Sequence, residues 1–229
     1  SVRRIEAPAW DDINENYTED ASRAFSRLIA ADRPTDGSLV ILHGPPGTGK
    51  TYALRSLMRA WKEWCDPQFL VDPLPALSDT GADFAGGVLN AEPADPRMRH
   101  GEDRYRLVIL EDAGEVLASD ARATAGTALT RLLNITDGLL ADGFRTIVAV
   151  TTNEPVGRLH PALRRPGRRL AEIEFGPLPV ERANRWLETK GSPCRVTSPT
   201  PLADLYALAR EDGTGENAGP SFGFANASA

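Results

Sequence analysis

The chain reads as an α/β protein: a five-stranded parallel sheet with helices on both faces, followed by a short helical C-terminal lobe. Three observations carry that expectation. Short apolar runs of strand length alternate with stretches of helical spacing along most of the chain. A glycine-rich loop lies between the first run and the helix after it. Two acids, Glu111 and Asp112, close a later run, where the carboxyl end of a buried strand would lie. Ligands of open α/β sheets bind at those carboxyl ends.

The elements follow in order. Asp20 to Ala31 places Ala21, Ala24, Phe25, Leu28 and Ile29 on one helical face. Pro34-Thr35-Asp36-Gly37 is a turn. Leu39-Val40-Ile41-Leu42 is the first strand, and Ala53 to Trp64 is a helix with Leu54, Leu57, Met58 and Trp61 at helical spacing. Gln68 to Val71 is the second strand. Residues 72–103 are rich in Pro, Gly, Ala and Asp and predict no element. Leu107 to Leu110 is the third strand, Thr124 to Ile135 a helix, Thr146 to Val150 the fourth strand and Ala171 to Phe175 the fifth. Continuous apolar strands joined by helices are the pattern of a parallel sheet buried on both faces. After Gly176-Pro177 the pattern changes. Pro179 to Thr189 and Pro201 to Asp212 predict two helices, and the Gly-, Ala-, Asn- and Ser-rich tail predicts irregular chain. The expected division is therefore 1–177, 178–212 and 213–229.

The loop is Gly44-Pro45-Pro46-Gly47-Thr48-Gly49-Lys50-Thr51, a complete G-x-x-x-x-G-K-[ST] phosphate-binding loop. Glycines let backbone N–H groups turn inward around a phosphate with no Cβ in the way. Lys50 supplies a positive charge for β- and γ-phosphates, and Thr51 a hydroxyl for Mg²⁺. The helix starting at Lys50 aims the positive end of its dipole at the same anion. A Gly/Pro turn can match such a pattern by chance, but strand, loop and helix here occur in the required order. Glu111 and Asp112 are placed to meet the loop. One can serve Mg²⁺, and the other can polarise an attacking water. Thr151-Thr152-Asn153 ends the fourth strand in the same way, and the Asn153 amide there can orient water or touch a γ-phosphate. Four arginines, Arg164, Arg165, Arg168 and Arg169, then fall within six positions. Such a run is either a solvated face or a guanidinium presented to a neighbour's γ-phosphate.

Bulk properties narrow the class. A net charge of −6 leaves no basic footprint and disfavours nucleic acid as a partner. Only two cysteines occur, Cys65 and Cys194, which fits a reducing compartment better than a disulfide framework. No apolar run reaches the roughly eighteen residues of a membrane span. With no visible signal peptide, the expected location is cytoplasmic.

Together, the loop, the strand-end acids, the Thr-Thr-Asn segment and Leu159-His160-Pro161-Ala162-Leu163-Arg164-Arg165-Pro166-Gly167-Arg168 resemble the Walker A, Walker B, sensor 1 and second region of homology of the AAA+ ATPases. The resemblance covers residues 8–212 and implies a P-loop NTPase fold with a helical lid. Within that family the chain is most similar to the subgroup of the mitochondrial AAA translocase that exports a folded iron–sulfur protein. That subgroup shares the Glu-Asp order and an L-L-N-x-x-D-G segment, here Leu132 to Gly138. A mitochondrial location does not follow; the Arg-over-Lys, Ala-rich composition resembles bacterial proteins.

The resemblance implies ATP and Mg²⁺ as ligands. It implies Asp12 and Ile13 near adenine, Gly44 through Thr51 around the phosphates, and Glu111 as the Mg²⁺-associated acid. It implies Asp112 as the catalytic acid, itself within reach of the metal, Asn153 as the sensor, and Arg165 and Arg168 as paired fingers acting in trans. His160 replaces a common Asp and is expected to be structural. The sequence departs from the family in its acid order, in a lid of only two helices with no assignable sensor 2 residue, and in a weak pore-loop candidate, Asp83-Phe84-Ala85-Gly86. The leading expectation is an ATP-hydrolysing remodeller of a protein partner, working as a homo-oligomeric ring, with the hexamer as the family's form. The alternative is a nucleotide-gated binding and assembly module with slow hydrolysis. A DNA-associated loader ranks third because of the acidic charge.

Overall fold

Five strands order the computed structural model, which describes residues 7–34, 37–70, 104–114, 130, 133, 145–165 and 167–211. They are β1 (Leu39–His43), β2 (Cys65–Leu70), β3 (Tyr105–Leu110), β4 (Thr146–Thr152) and β5 (Arg169–Glu174). All pairs are parallel, in the order β2-β3-β4-β1-β5. The helices are α1 (Glu19–Ile29), α2 (Lys50–Trp61), α3 (Val180–Thr189) and α4 (Leu202–Glu211). This is the α/β P-loop architecture that the alternating pattern predicts.

Every residue of β1 and β4 is buried. Successive side chains point to opposite faces, so each face has its own apolar set. Val40, Leu42, Leu107, Ile109, Ile147 and Ala149 pack with residues of α1 and α2, including Phe25, Leu54, Leu57 and Trp61. Leu39, Ile41, Val108, Leu110, Val148 and Val150 are as deeply buried on the other face. A fully buried Leu, Ile or Phe contributes about 1.5–3 kcal/mol, so the central strands are the most strongly held part of the described residues.

Several element boundaries depart from the expected ones, and three have a clear bearing on the packing. α1 begins one residue earlier, because the Thr18 hydroxyl accepts the Ala21 N–H and caps it. α2 stops at Trp61 rather than Trp64. β2 starts at Cys65 rather than Gln68. Asp66-Pro67 looks like turn chemistry, yet Pro67 lies on the edge strand, where a missing N–H costs least. Asp66 is buried, and Arg104 neutralises it through a 2.6 Å contact. The expected helix over 124–135 lies outside the described residues except Thr130 and Leu133, both helical. The tail, the segment 72–103 and most of Leu132 to Gly138 also lie outside them.

The two lobe helices form as expected. Leu178, Ala183, Trp186, Leu187, Leu202 and Leu205 make a separate cluster of their own. Leu178 and Thr200 pair across it as an isolated antiparallel bridge.

Candidate nucleotide-binding site

β1 delivers the chain into the loop at His43, and α2 takes it out at Lys50. Gly44 adopts φ 132° with the Phe175 carbonyl against it, so any Cβ there would collide with backbone. Thr48 Oγ1 donates to the Pro45 carbonyl at 2.9 Å and staples the loop across its middle. Lys50 folds back beneath this arch. Its Nζ donates to Gly44 O at 2.7 Å, Pro45 O at 2.9 Å and Asn153 Oδ1 at 2.9 Å. Burial pushes the Lys50 ammonium down to about 8, and the Asp112 carboxylate pulls it back up. An ammonium held only by neutral carbonyls in a desolvated cradle favours an anion that would complete its coordination.

The acids and the Thr-Thr-Asn segment meet this lysine from β3 and β4. The β3–β4 ladder ends at Leu110 opposite Val150, and the chain then turns. Asp112 N–H donates to Thr151 Oγ1 at 3.0 Å, and Ala113 N–H donates to the Thr151 carbonyl at 2.9 Å. Asn153 Nδ2 donates to Asp112 Oδ1 at 3.2 Å. A continuous chain therefore runs from Asp112 through Asn153 to Lys50. Glu111 is exposed at the same turn. Thr51 is exposed in the first turn of α2. One hydroxyl and two carboxylates are hard oxygen donors. No cluster of three or more metal-ligating side chains occurs among the described residues. Such a donor set fits Mg²⁺, which takes few protein ligands and shares the rest with phosphates and water.

Two further groups reach the loop that sequence reasoning did not assign to it. The first is Tyr17, on the segment after the short helical turns at Trp10–Asp12 and Asn14–Asn16. Its hydroxyl donates to the Gly49 carbonyl at 3.2 Å. Ring contacts with Trp10, at 5.1 Å, and Phe175, at 5.3 Å, hold it there. Asp12 lies exposed and Ile13 buried on the same segment. The second is the start of α4. Ala203 N–H donates to the Gly47 carbonyl at 2.9 Å. A Cβ on Gly49 would sit 2.9 Å from Tyr17 Cε1 and 3.1 Å from Leu202 Cδ2. Trp186 of α3 completes the tie by donating to Asn16 Oδ1 at 2.7 Å. The strip of small residues at the loop was the available signal, because a tight approach of other elements needs it as much as a phosphate does.

Arg165 and Arg168 are not part of this cluster. Both follow β4 on the connection to β5, and they differ. Arg165 is exposed. Arg168 is half-buried and its Nη1 donates to the Ala162 carbonyl at 2.9 Å. The Arg168 carbonyl accepts from Ser38 and Leu39 at the foot of β1. The five residues of β1 separate that foot from the loop, about 16 Å at ~3.3 Å per residue. His160 accepts the Ala162 N–H through Nδ1 and caps the short helical turn Pro161–Arg164, which precedes both arginines. The pore-loop candidate Asp83 to Gly86 lies outside the described residues.

Residues 40–177 match the family described as "ATPase family associated with various cellular activities (AAA)". The chain is also similar to "ATPase family gene 2 protein homolog B" of Homo sapiens, 30% identical over 187 residues, which is 75% of this chain and 24% of that protein. It is similar to "ATPase family gene 2 protein" of Saccharomyces cerevisiae, 31% identical over 144 residues, 60% of this chain and 17% of that protein. It is 29% identical over 168 residues to the "26S proteasome regulatory subunit 6B homolog" of Encephalitozoon cuniculi, covering 69% of this chain and 39% of that protein. The chain thus spans about a quarter or less of the length of the first two relatives.

Proposed function

Since the chain belongs to the AAA family of ATPases and is an ATP-binding enzyme, we propose that it hydrolyses ATP with Mg²⁺ at the ends of β1, β3 and β4 and uses the turnover to remodel a protein partner within an oligomeric ring. The observation that carries the site assignment is the Asp112–Asn153–Lys50 chain, which joins three strand ends into one polar cluster.

In this reading the loop amides from Gly44 to Thr51 cradle the phosphates, and Asp12 and Ile13 line the adenine end. Lys50 gives up its carbonyl partners for the β- and γ-phosphates. Thr51 and Glu111 would hold Mg²⁺, with Asp112 in reach; when bound, the metal would offset charge on the phosphates. Asn153 orients the water. The water oxygen bonds to the γ-phosphorus, and the bond to the bridging oxygen breaks with its electron pair on ADP. A water proton passes to Asp112. The Asp112→Asn variant is expected to bind ATP and stop turning over, by calorimetry and phosphate release; Glu111→Gln is expected to weaken the Mg²⁺ dependence. Rapid turnover in Asp112→Asn with a dead Glu111→Gln would exchange the two roles.

The β4–β5 connection supports action in trans: it ends at the foot of the sheet, where the Arg168 carbonyl accepts from Ser38 and Leu39, so a guanidinium exposed on it, as Arg165 is, would serve a γ-phosphate on a neighbouring subunit. A head-to-tail contact of that kind gives a ring where its rotation closes. The separate lobe cluster supports a division at 177/178, with residues 178–212 as the lid. The Glu111-Asp112 order and the Leu132 to Gly138 segment support a place near the translocase subgroup. Composition supports a bacterial source. Cys65 and Cys194 form no disulfide, and the Cys65 thiol is buried, which supports a reducing cytoplasmic location; no helix among the described residues is long and apolar enough to cross a membrane.

A second reading is a nucleotide-gated assembly module with slow hydrolysis. The contact of α4 with the loop through Ala203 and Gly47 favours it, because a phosphate that reshapes the loop would move the lobe. Phosphate release with and without candidate protein partners separates the two readings.

A further inference from the structure

We propose that Thr151 is a positioning residue for hydrolysis: its buried hydroxyl holds the Asp112 backbone in the left-handed turn that presents the Asp112 carboxylate to Asn153. The role rests on the assignment of Asp112 made above.

The geometry is local and specific. Where β3 leaves the sheet, two successive amides remain to be satisfied. Thr151 takes both, Asp112 N–H on Oγ1 and Ala113 N–H on its carbonyl. The residue is buried, at 4% exposure, so water competes poorly for its hydroxyl. Asp112 has φ 53°, a left-handed conformation that most side chains avoid. Short polar side chains tolerate it best, because they can hydrogen-bond locally. The conformation thus gives a physical reason for Asp at 112, where a longer Glu would be less well accommodated. It also needs an anchor, since nothing intrinsic to the chain keeps Asp112 from relaxing to an extended backbone. That relaxation would swing the carboxylate off the Asn153 amide, which lies 3.2 Å from Oδ1. The neighbouring Thr152 hydroxyl is already used, accepting the Glu154 N–H at 3.0 Å. The Thr-Thr-Asn segment therefore divides its work: Thr151 fixes the acid's backbone, Thr152 the following turn, and Asn153 the acid's side chain.

The test compares Thr151→Val with Thr151→Ser. Val keeps the branched volume on β4 and removes the acceptor; Ser keeps the acceptor. In Thr151→Val, kcat is expected to fall by ~10²-fold, the scale of a 1 Å misplacement of a reacting group, while KM for ATP and calorimetric ADP affinity stay unchanged. Thr151→Ser is expected to restore turnover. Amide exchange at Asp112, read by NMR, is expected to accelerate in the Val variant and stay slow in the Ser variant. If Thr151→Val does not fold, Thr151→Ala removes the same acceptor and is held to the same outcomes. Wild-type kcat without the hydroxyl, or equal losses in Val and Ser, overturns the proposal. An unchanged Asp112 amide in Thr151→Val overturns the anchoring itself. Asp112→Asn measured alongside separates the premises: its normal turnover overturns the acid assignment and the positioning role with it, whatever the Thr151 variants do.

Discussion

Arg165 and Arg168 offer the sharpest test of assembly, because the resemblance pairs them and the structure sets them apart. Arg165 projects from the β4–β5 connection into solvent. Arg168 is tied to the Ala162 carbonyl at 2.9 Å. Replacing Arg165 by Ala removes no side-chain hydrogen bond or ion pair among the described residues, so stability should shift by no more than about 0.5 kcal/mol. Replacing Arg168 by Ala removes a hydrogen bond from a charged donor. Such bonds are worth roughly 1.5–3 kcal/mol when buried, and half-burial reduces this to about 1–2 kcal/mol. A chain of this size loses about 2–4 °C in Tm per kcal/mol, so Arg168→Ala should melt about 2–8 °C lower.

Turnover should order the two differently. An arginine finger is worth ~10³–10⁵ in rate. We expect Arg165→Ala to bind ATP normally, melt like wild type and lose at least ~10³-fold in kcat. Wild-type activity should rise faster than linearly with protein concentration. Mixing Arg165→Ala with Lys50→Ala should restore part of it, because the first keeps a competent loop and the second an intact finger. Phosphate release over a concentration series, with differential scanning calorimetry beside it, measures all of this. Full activity in Arg165→Ala, with wild-type specific activity independent of concentration, would sink the trans-finger reasoning. Loss of turnover only in Arg168→Ala, without a Tm change, would move the finger to that residue.

Three other outcomes follow from contacts around the loop. Gly49→Ala forces a Cβ into φ 90° and to within 2.9 Å of Tyr17; we expect about 1–3 kcal/mol of destabilisation and weaker ADP binding, and wild-type values of both would refute the close-approach argument. Trp186→Phe leaves buried Asn16 Oδ1 without its indole donor, although Asn16 keeps its hydrogen bond to Tyr206; the cost should be about 1–2 kcal/mol in urea unfolding, and no change would refute the tie. Burial pushes the Cys65 thiol up to about 12, above the usual 9.0, so at pH 8 Cys194 should react with a thiol reagent well before Cys65. Because the folded value lies above the unfolded one, this group's stabilisation is present below pH 9 and is lost as pH rises towards 12; equal labelling rates in the native state would contradict the burial.

Most of the sheet was legible because its central strands are buried on both faces. A run such as Leu39 to Leu42 has no other solvent-free place to go, and the turns around it are marked by Gly and Pro. β2 was misjudged at its start for a definite reason. Asp66-Pro67 carries local turn chemistry, and a partner 38 residues away, Arg104, makes a buried Asp tolerable in a strand. Local propensity has no access to such a partner. The end of α2 failed similarly: Trp64 continues the helical spacing, but its ring packs on Trp61 and Tyr105 from the following turn instead.

The site divides along the same line. Gly44 through Thr51 can be read locally, because phosphate binding by a loop and a helix end is a property of consecutive residues. Lys50 meeting Asn153, and Asn153 meeting Asp112, could be anticipated only through the strand order, since parallel strands bring their carboxyl ends together whatever their separation in sequence. Tyr17, Leu202 and Ala203 could not be anticipated that way, for they come from outside the sheet. Their presence changes what the loop's glycines are for. Gly49 leaves room for Tyr17 and Leu202 as well as for a phosphate, and the Gly47 carbonyl receives the first turn of α4. A change in the loop on binding nucleotide would therefore be felt by the lobe and by the N-terminal segment together, through contacts on the Gly47 and Gly49 carbonyls. That coupling is what the two lobe helices among the described residues would need in order to report the state of the site.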